Sequence, residues 1–176
     1  MRWFVMSCAV IGAVAVGTFQ LAAQRPQPKG GSEARLQMLE DQQEIHALLM
    51  EYGRTLDARD FAGFERLFAK DAEYGSARNE PVKGPANIRV YLEGQLKKNA
   101  APQSGRDFHL FYNETIDVKG DHATALSKGA FYVRGEANKL ETSALVNYHD
   151  DLVREDGRWK FKRRILGERP ATAPAP

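Results

Sequence analysis

Apolar residues recur at Ile45, Leu48, Leu49, Tyr52 and Leu56, positions i, i+3, i+4, i+7 and i+11. That spacing is one face of a long α-helix, predicted over about Ala34–Ala58. Asp60 suits the N-cap of a short second helix carrying Phe61, Phe64, Leu67 and Phe68. Gly84-Pro85 opens a third, with Pro at its first position and Ile88, Leu92 and Leu96 as its apolar face. Beyond residue 107 the period changes. Four stretches rich in β-formers follow, at about 108–118, 122–134, 140–154 and 158–166. The gaps Lys119-Gly120-Asp121, Gly135–Asn138 and Glu155-Asp156-Gly157 are short and contain glycine, so hairpins are expected. Helices first and an antiparallel meander second make an α+β domain, with helices on one face of a bent sheet. In the last strand Trp159, Phe161 and Ile165 alternate with Lys160, Lys162 and Arg164. Arg163 then falls on the apolar side, where a charge needs a partner or a polar cavity.

Composition changes this picture mainly at the ends. Arg2 is followed by an uncharged apolar run from Trp3 to Val16, and Leu21-Ala22-Ala23 closes it. A charged start, an apolar core and small residues at a cleavage site describe an export signal, residues 1–23, cut after Ala23. The alternative is an uncleaved anchor. Either places the domain outside the cytoplasm, periplasmic or secreted, and cleavage leaves no membrane segment. Residues 24–33 read as a Pro/Gly/Ser linker, 34–168 as one domain and 169–176 as a disordered Pro/Ala tail. Removing Arg2 takes the formal charge from +2 to 2 − 1 = +1, too little for a nucleic-acid footprint. The one cysteine, Cys8, lies in the export segment, so the domain carries no disulfide and no thiolate metal site.

Few residues point to chemistry. Asp57 closes the long helix, where the helix dipole disfavours a carboxylate. His109 sits in Phe108-His109-Leu110-Phe111, with Phe111 and Asn113 on its strand face. Taken alone, Asp57 reads equally as a turn residue, and His109 more simply as a core or rim histidine. Tyr52 on the helix face and Tyr74 on a short strand could be core, or could turn a hydroxyl into a pocket. No phosphate loop, H-E-x-x-H or G-x-S-x-G occurs, so kinase, dinucleotide and common hydrolase chemistries have no support.

Glu44–Asp60 (EIHALLMEYGRTLDARD) and Phe61–Tyr74 (FAGFERLFAKDAEY) together resemble the opening of SnoaL-like proteins of the nuclear-transport-factor-2-like (NTF2-like) superfamily. Gly84–Ile88, His109–Ala125 (HLFYNETIDVKGDHATA) and Tyr148–Phe161 (YHDDLVREDGRWKF) extend the resemblance over roughly residues 38–167. It implies a cone of N-terminal helices on a curved antiparallel sheet enclosing a pocket. In scytalone dehydratase, bile-acid dehydratase and hexachlorocyclohexane dehydrochlorinase a helix-end Asp meets a His on a facing strand. Asp57 and His109 match those positions. Tyr52 matches a tyrosine five residues before the Asp in bile-acid dehydratase, Tyr74 matches a substrate-binding tyrosine of scytalone dehydratase, and Arg163 lies near an inward arginine of the bile-acid enzyme. Tyr52, Tyr74, Arg163 and Asn113 are the substrate-binding candidates. Ser127, Lys128 and Tyr132 stand where scytalone dehydratase has a second histidine, and Gly75-Ser76-Ala77 lacks the ketosteroid isomerase base.

The resemblance implies a dehydratase or isomerase with no cofactor and no metal, acting on a hydrophobic cyclic molecule. Its alternatives are a non-catalytic binder of such a molecule, or a dimerising accessory module. Leu145, Asn147, His149, Asp151 and Val153 form a mixed outer sheet face suited to a homodimer.

Overall fold

The computed structural model describes residues 31–98, 107–135 and 139–167. The expected export segment, most of the expected linker and the expected Pro/Ala tail lie outside these residues. Helix α1 spans Ser32–Asp57, α2 Phe61–Glu65 and α3 Pro85–Lys98. The strands are β1 Phe68–Ser76, β2 Val82–Lys83, β3 Asp107–Lys119, β4 His122–Arg134, β5 Leu140–Glu155 and β6 Arg158–Leu166. They form one curved, unclosed sheet in the order β2-β1-β6-β5-β4-β3. Strands β3 to β6 are the expected meander. β1 adds a parallel pairing with β6, joining the start of the domain to its end.

The buried stripe of α1 is Ile45, Leu48, Leu49, Tyr52 and Leu56, the face its spacing indicated. With Phe64, Phe68, Phe161, Trp159 and Leu152 it forms the core. Each large apolar side chain removed from water contributes on the order of 1.5–3 kcal/mol. Asp60 caps α2 by accepting from the Gly63 N–H at 2.7 Å. That helix ends at Glu65, earlier than expected, and Phe68 already belongs to β1. Phe64 and Phe68 still both reach the core, because the switch from helix to strand preserves their side. The β5–β6 hairpin turns on Asp156 (φ 54°) and Gly157 (φ 72°), between the paired residues Glu155 and Arg158. Two residues with positive φ make the tight turn whose twist matches the strands.

Two bulges change which side chains face inward. In β5–β6, Leu152 pairs with Phe161 but Asp151 pairs with Arg163, which leaves Lys162 unmatched. Alternation therefore slips by one residue. Arg164, expected outside, is wholly buried, and Arg163, expected inside, is exposed beside Glu73. In β3–β4, Tyr112 pairs with Lys128 and Thr115 with Leu126, so Asn113 and Glu114 oppose a single residue. Asn113 sits there at φ 54° and is exposed, so it does not share the inward face of His109.

Candidate functional site

The C-terminal end of α1 and the start of β3 meet closely. Gly53 makes this possible. A Cβ there would stand 2.7 Å from the Phe111 ring and 3.2 Å from the His109 Cβ. Four residues on, Asp57 ends the helix against the same strand. Its carboxylate accepts the backbone N–H of His109 at 3.0 and 3.1 Å, and lies 2.6 Å from the His109 ring Nδ1. A carboxylate oxygen accepts, so in this contact Nδ1 is the donor and Nε2 is the ring nitrogen left over. These donors are the local reason for an acid at an unfavourable helix end. The imidazole stacks on Phe131 at 4.6 Å and beside Phe111 at 6.3 Å, and it is only slightly exposed.

A second polar group lies deeper. The hydroxyls of Tyr52 and Tyr74 are 2.9 Å apart and both are buried, so each supplies the other's partner. Burial pushes both phenols well above their ordinary range, as it does Tyr148. The Arg164 guanidinium lies over four rings, at 4.0 Å from Tyr52, 4.1 Å from Tyr148, 4.5 Å from Phe161 and 5.7 Å from Phe111. It donates to Asp150 at 3.2 Å, in a pair without solvent exposure. Burial, only partly offset by Arg164, pushes Asp150 up to about 7. Arg164 Nε and Nη2, Asp150 Oδ1 and Ser127 Oγ are buried without a partner among the described residues. Arg164, Asp150 and Ser127 were missing from the sequence-based candidates. The one hint was the Arg163-Arg164 doublet crossing an otherwise regular alternation.

The structure thus brings Asp57 to His109 and Tyr52 to Tyr74, and it turns Arg163 and Asn113 away. Among the described residues no cluster of three or more His, Cys, Asp or Glu is placed to hold a metal ion.

Among solved structures, an NTF2-like protein with a cystatin-like fold from Novosphingobium aromaticivorans is similar, with a TM-score of 0.69 and 26% identity. The match covers 80% of this chain and 90% of that one. A protein named only as a candidate scytalone dehydratase from the same organism matches at a TM-score of 0.60 and 26% identity, over 76% of this chain and 86% of that one. A candidate aromatic ring hydroxylase, also from that organism, shares the fold at a TM-score of 0.60 and 21% identity, over 73% and 88%. No curated protein matches the chain. The family described as the SnoaL-like domain matches residues 37–165, most of the chain and all of the structured elements but the ends of α1 and β6. The chain belongs to the SnoaL-like family, and its fold is NTF2-like.

Proposed function

We propose that the protein is a cofactor-independent dehydratase or isomerase in which Asp57 and His109 form the base. The observation that carries this reading is the 2.6 Å contact between His109 Nδ1 and Asp57, reinforced by the His109 backbone N–H on the same carboxylate. It leaves Nε2 as the ring nitrogen that can take a proton from a substrate. His109 removes a proton from a carbon next to a carbonyl, and the electron pair moves into an enolate. Asp57 stabilises the imidazolium that results. The enolate then expels a β-hydroxyl, which takes the proton back from His109 and leaves as water. In an isomerisation the proton returns instead at the far carbon of the shifted double bond.

The rings of Phe111 and Phe131 beside His109 suit a hydrophobic, ring-bearing substrate. The buried Arg164 guanidinium gives the interior a positive group for the substrate oxygen. A solved relative named as a candidate scytalone dehydratase is in keeping with this class of reaction.

The test is turnover of a panel of cyclic hydroxy-ketones and enones by wild type, Asp57→Asn and His109→Gln. Turnover by wild type that both variants lose, with binding retained, is the expected result. Tight binding by all three without turnover by wild type would sink the enzyme and leave a binder.

We also propose that the domain works outside the cytoplasm, on the strength of the export segment at residues 1–23. A mature N-terminus at Gln24 by mass spectrometry is expected, and a mass retaining Met1 would argue for the anchor.

A further inference from the structure

The Asp57–His109 contact has a neighbour of mirrored spacing. Two residues after Asp57 stands Arg59, and two residues before His109 stands Asp107. The Arg59 guanidinium donates to the Asp107 carboxylate. Its other terminal nitrogen donates to the Leu56 carbonyl at 2.6 Å, near the exposed end of the helix. The Asp107 side chain has no solvent exposure and that of Arg59 little, so the pair is shielded from screening. Along β3, positions 107 and 109 share one side of the strand, so Asp107 and His109 both reach back to the end of α1. The chain is held between them in an unusual way. Arg59 adopts φ 57°, a left-handed conformation that a long side chain rarely takes, and the Asp60 N–H returns to the Thr55 carbonyl at 2.8 Å. A strained residue of this kind persists only where its surroundings over-determine it.

We propose that Arg59 and Asp107 are positioning residues for the Asp57–His109 pair. They clamp the last turn of α1 to the first residues of β3, so that the Asp57 carboxylate meets both the ring and the backbone N–H of His109. The arginine acts twice: it ties down a terminal helix carbonyl beside Asp57, and it anchors the strand two residues from the imidazole. Without it, Asp57 would face an unfavourable helix end with a strand free to drift. The inference rests on Asp57 and His109 working as a pair, but its test does not depend on finding a substrate.

The experiment reads the His109 tautomer by ¹⁵N-imidazole NMR at pH 8 in wild type, Asp57→Asn, Asp107→Asn and Arg59→Gln, with circular dichroism and thermal melts alongside. Wild type is expected to show predominantly the Nδ1–H form, and Asp57→Asn to lose that predominance. Asp107→Asn and Arg59→Gln should keep the circular dichroism spectrum, yet lower the ratio of Nδ1–H to Nε2–H form at least two-fold. Arg59→Lys should restore part of it. A wild-type tautomer ratio in both Asp107→Asn and Arg59→Gln would overturn the proposal, whatever the melts do, and would leave the Asp57–His109 pair standing. Arg59→Gln, on the partly exposed side, decides the matter if Asp107→Asn does not fold. A wild type without the Nδ1–H form would overturn pair and clamp together. Positioning with no turnover on any substrate would reject the enzyme alone.

Discussion

The carboxylate of Asp57 receives two donors from one residue, the backbone N–H and the ring Nδ1 of His109, across 52 positions of sequence. The first donor fixes where the strand lies and the second fixes which ring nitrogen is protonated. A contact of the ring alone could be lost by a rotation about the side chain, whereas this one ties the tautomer to the backbone.

Asp57→Asn and His109→Gln are therefore expected to differ in stability but not in activity. The side-chain amide of the Asp57→Asn variant can still accept the backbone N–H through its oxygen, and the helix end is relieved of a charge. Its melting temperature should move little, with a net effect of about 1 kcal/mol or less. His109→Gln also loses the stacking on Phe131 and should melt lower. Each should reduce turnover by roughly 10²–10⁴-fold, as for a lost general base. A variant that keeps more than a tenth of wild-type turnover would show that the pair is not the base.

Gly53→Ala tests the closeness of helix and strand. Alanine is favoured over glycine inside a helix by about 1 kcal/mol. Here the added methyl would meet the Phe111 ring at 2.7 Å, and such overpacking costs typically 1–3 kcal/mol. Denaturant melts should show net destabilisation, and turnover should fall because the strand bearing His109 is pushed away. A stabilised, fully active Gly53→Ala would mean that the strand moves freely.

Asp150 makes stability depend on pH. Its folded pKa of about 7 lies above the unfolded value, about 3.9 for an aspartate, so the folded state holds the extra proton. The contribution is complete below about pH 4 and is lost as pH rises through about 7, at up to about 1.4 kcal/mol per pH unit. Urea midpoints across pH 4–8 should carry this downward component. Asp150→Asn should flatten it, and an identical pH profile in that variant would assign the proton elsewhere.

The outer sheet face is the surface we expect to pair two copies. Leu145 is 71% exposed there, and Leu110, Tyr112 and Leu126 on the neighbouring strands are also exposed. Sedimentation at micromolar concentration should give a dimer for wild type and a monomer for Leu145→Glu. A wild-type monomer would rule out this assembly.

The helical periodicity around Leu49 and the glycine-marked turns read directly into α1 and the β3–β6 meander, because both depend on local spacing. β1 was less legible. Its alternation is broken by Lys70-Asp71, and its partner β6 is some ninety residues away. Arg163 and Arg164 exchanged places because a bulge inserts a residue without altering composition. At Asn113 there was a weak signal, since Asn tolerates the left-handed conformation that this bulge requires. The Asp57–His109 contact was legible through family resemblance, whereas the aromatic cage of Arg164 depends on three strands and a helix converging, which no single stretch of sequence displays.

The bulge at Lys162 makes β6 forgiving of misalignment. In the native pairing Arg164 lies opposite Asp150. If the bulge closed and the outer half of the strand slid by one position, Arg163 would stand opposite the same acid. Either alignment delivers a guanidinium to the buried carboxylate, so the ion pair cannot tell the two apart. Discrimination must come from the other edge of the strand, where β1 runs alongside and matches Tyr74 to Arg164 and Gly75 to Ile165. The parallel strand thus serves as a proofreader for a doublet that would otherwise be ambiguous.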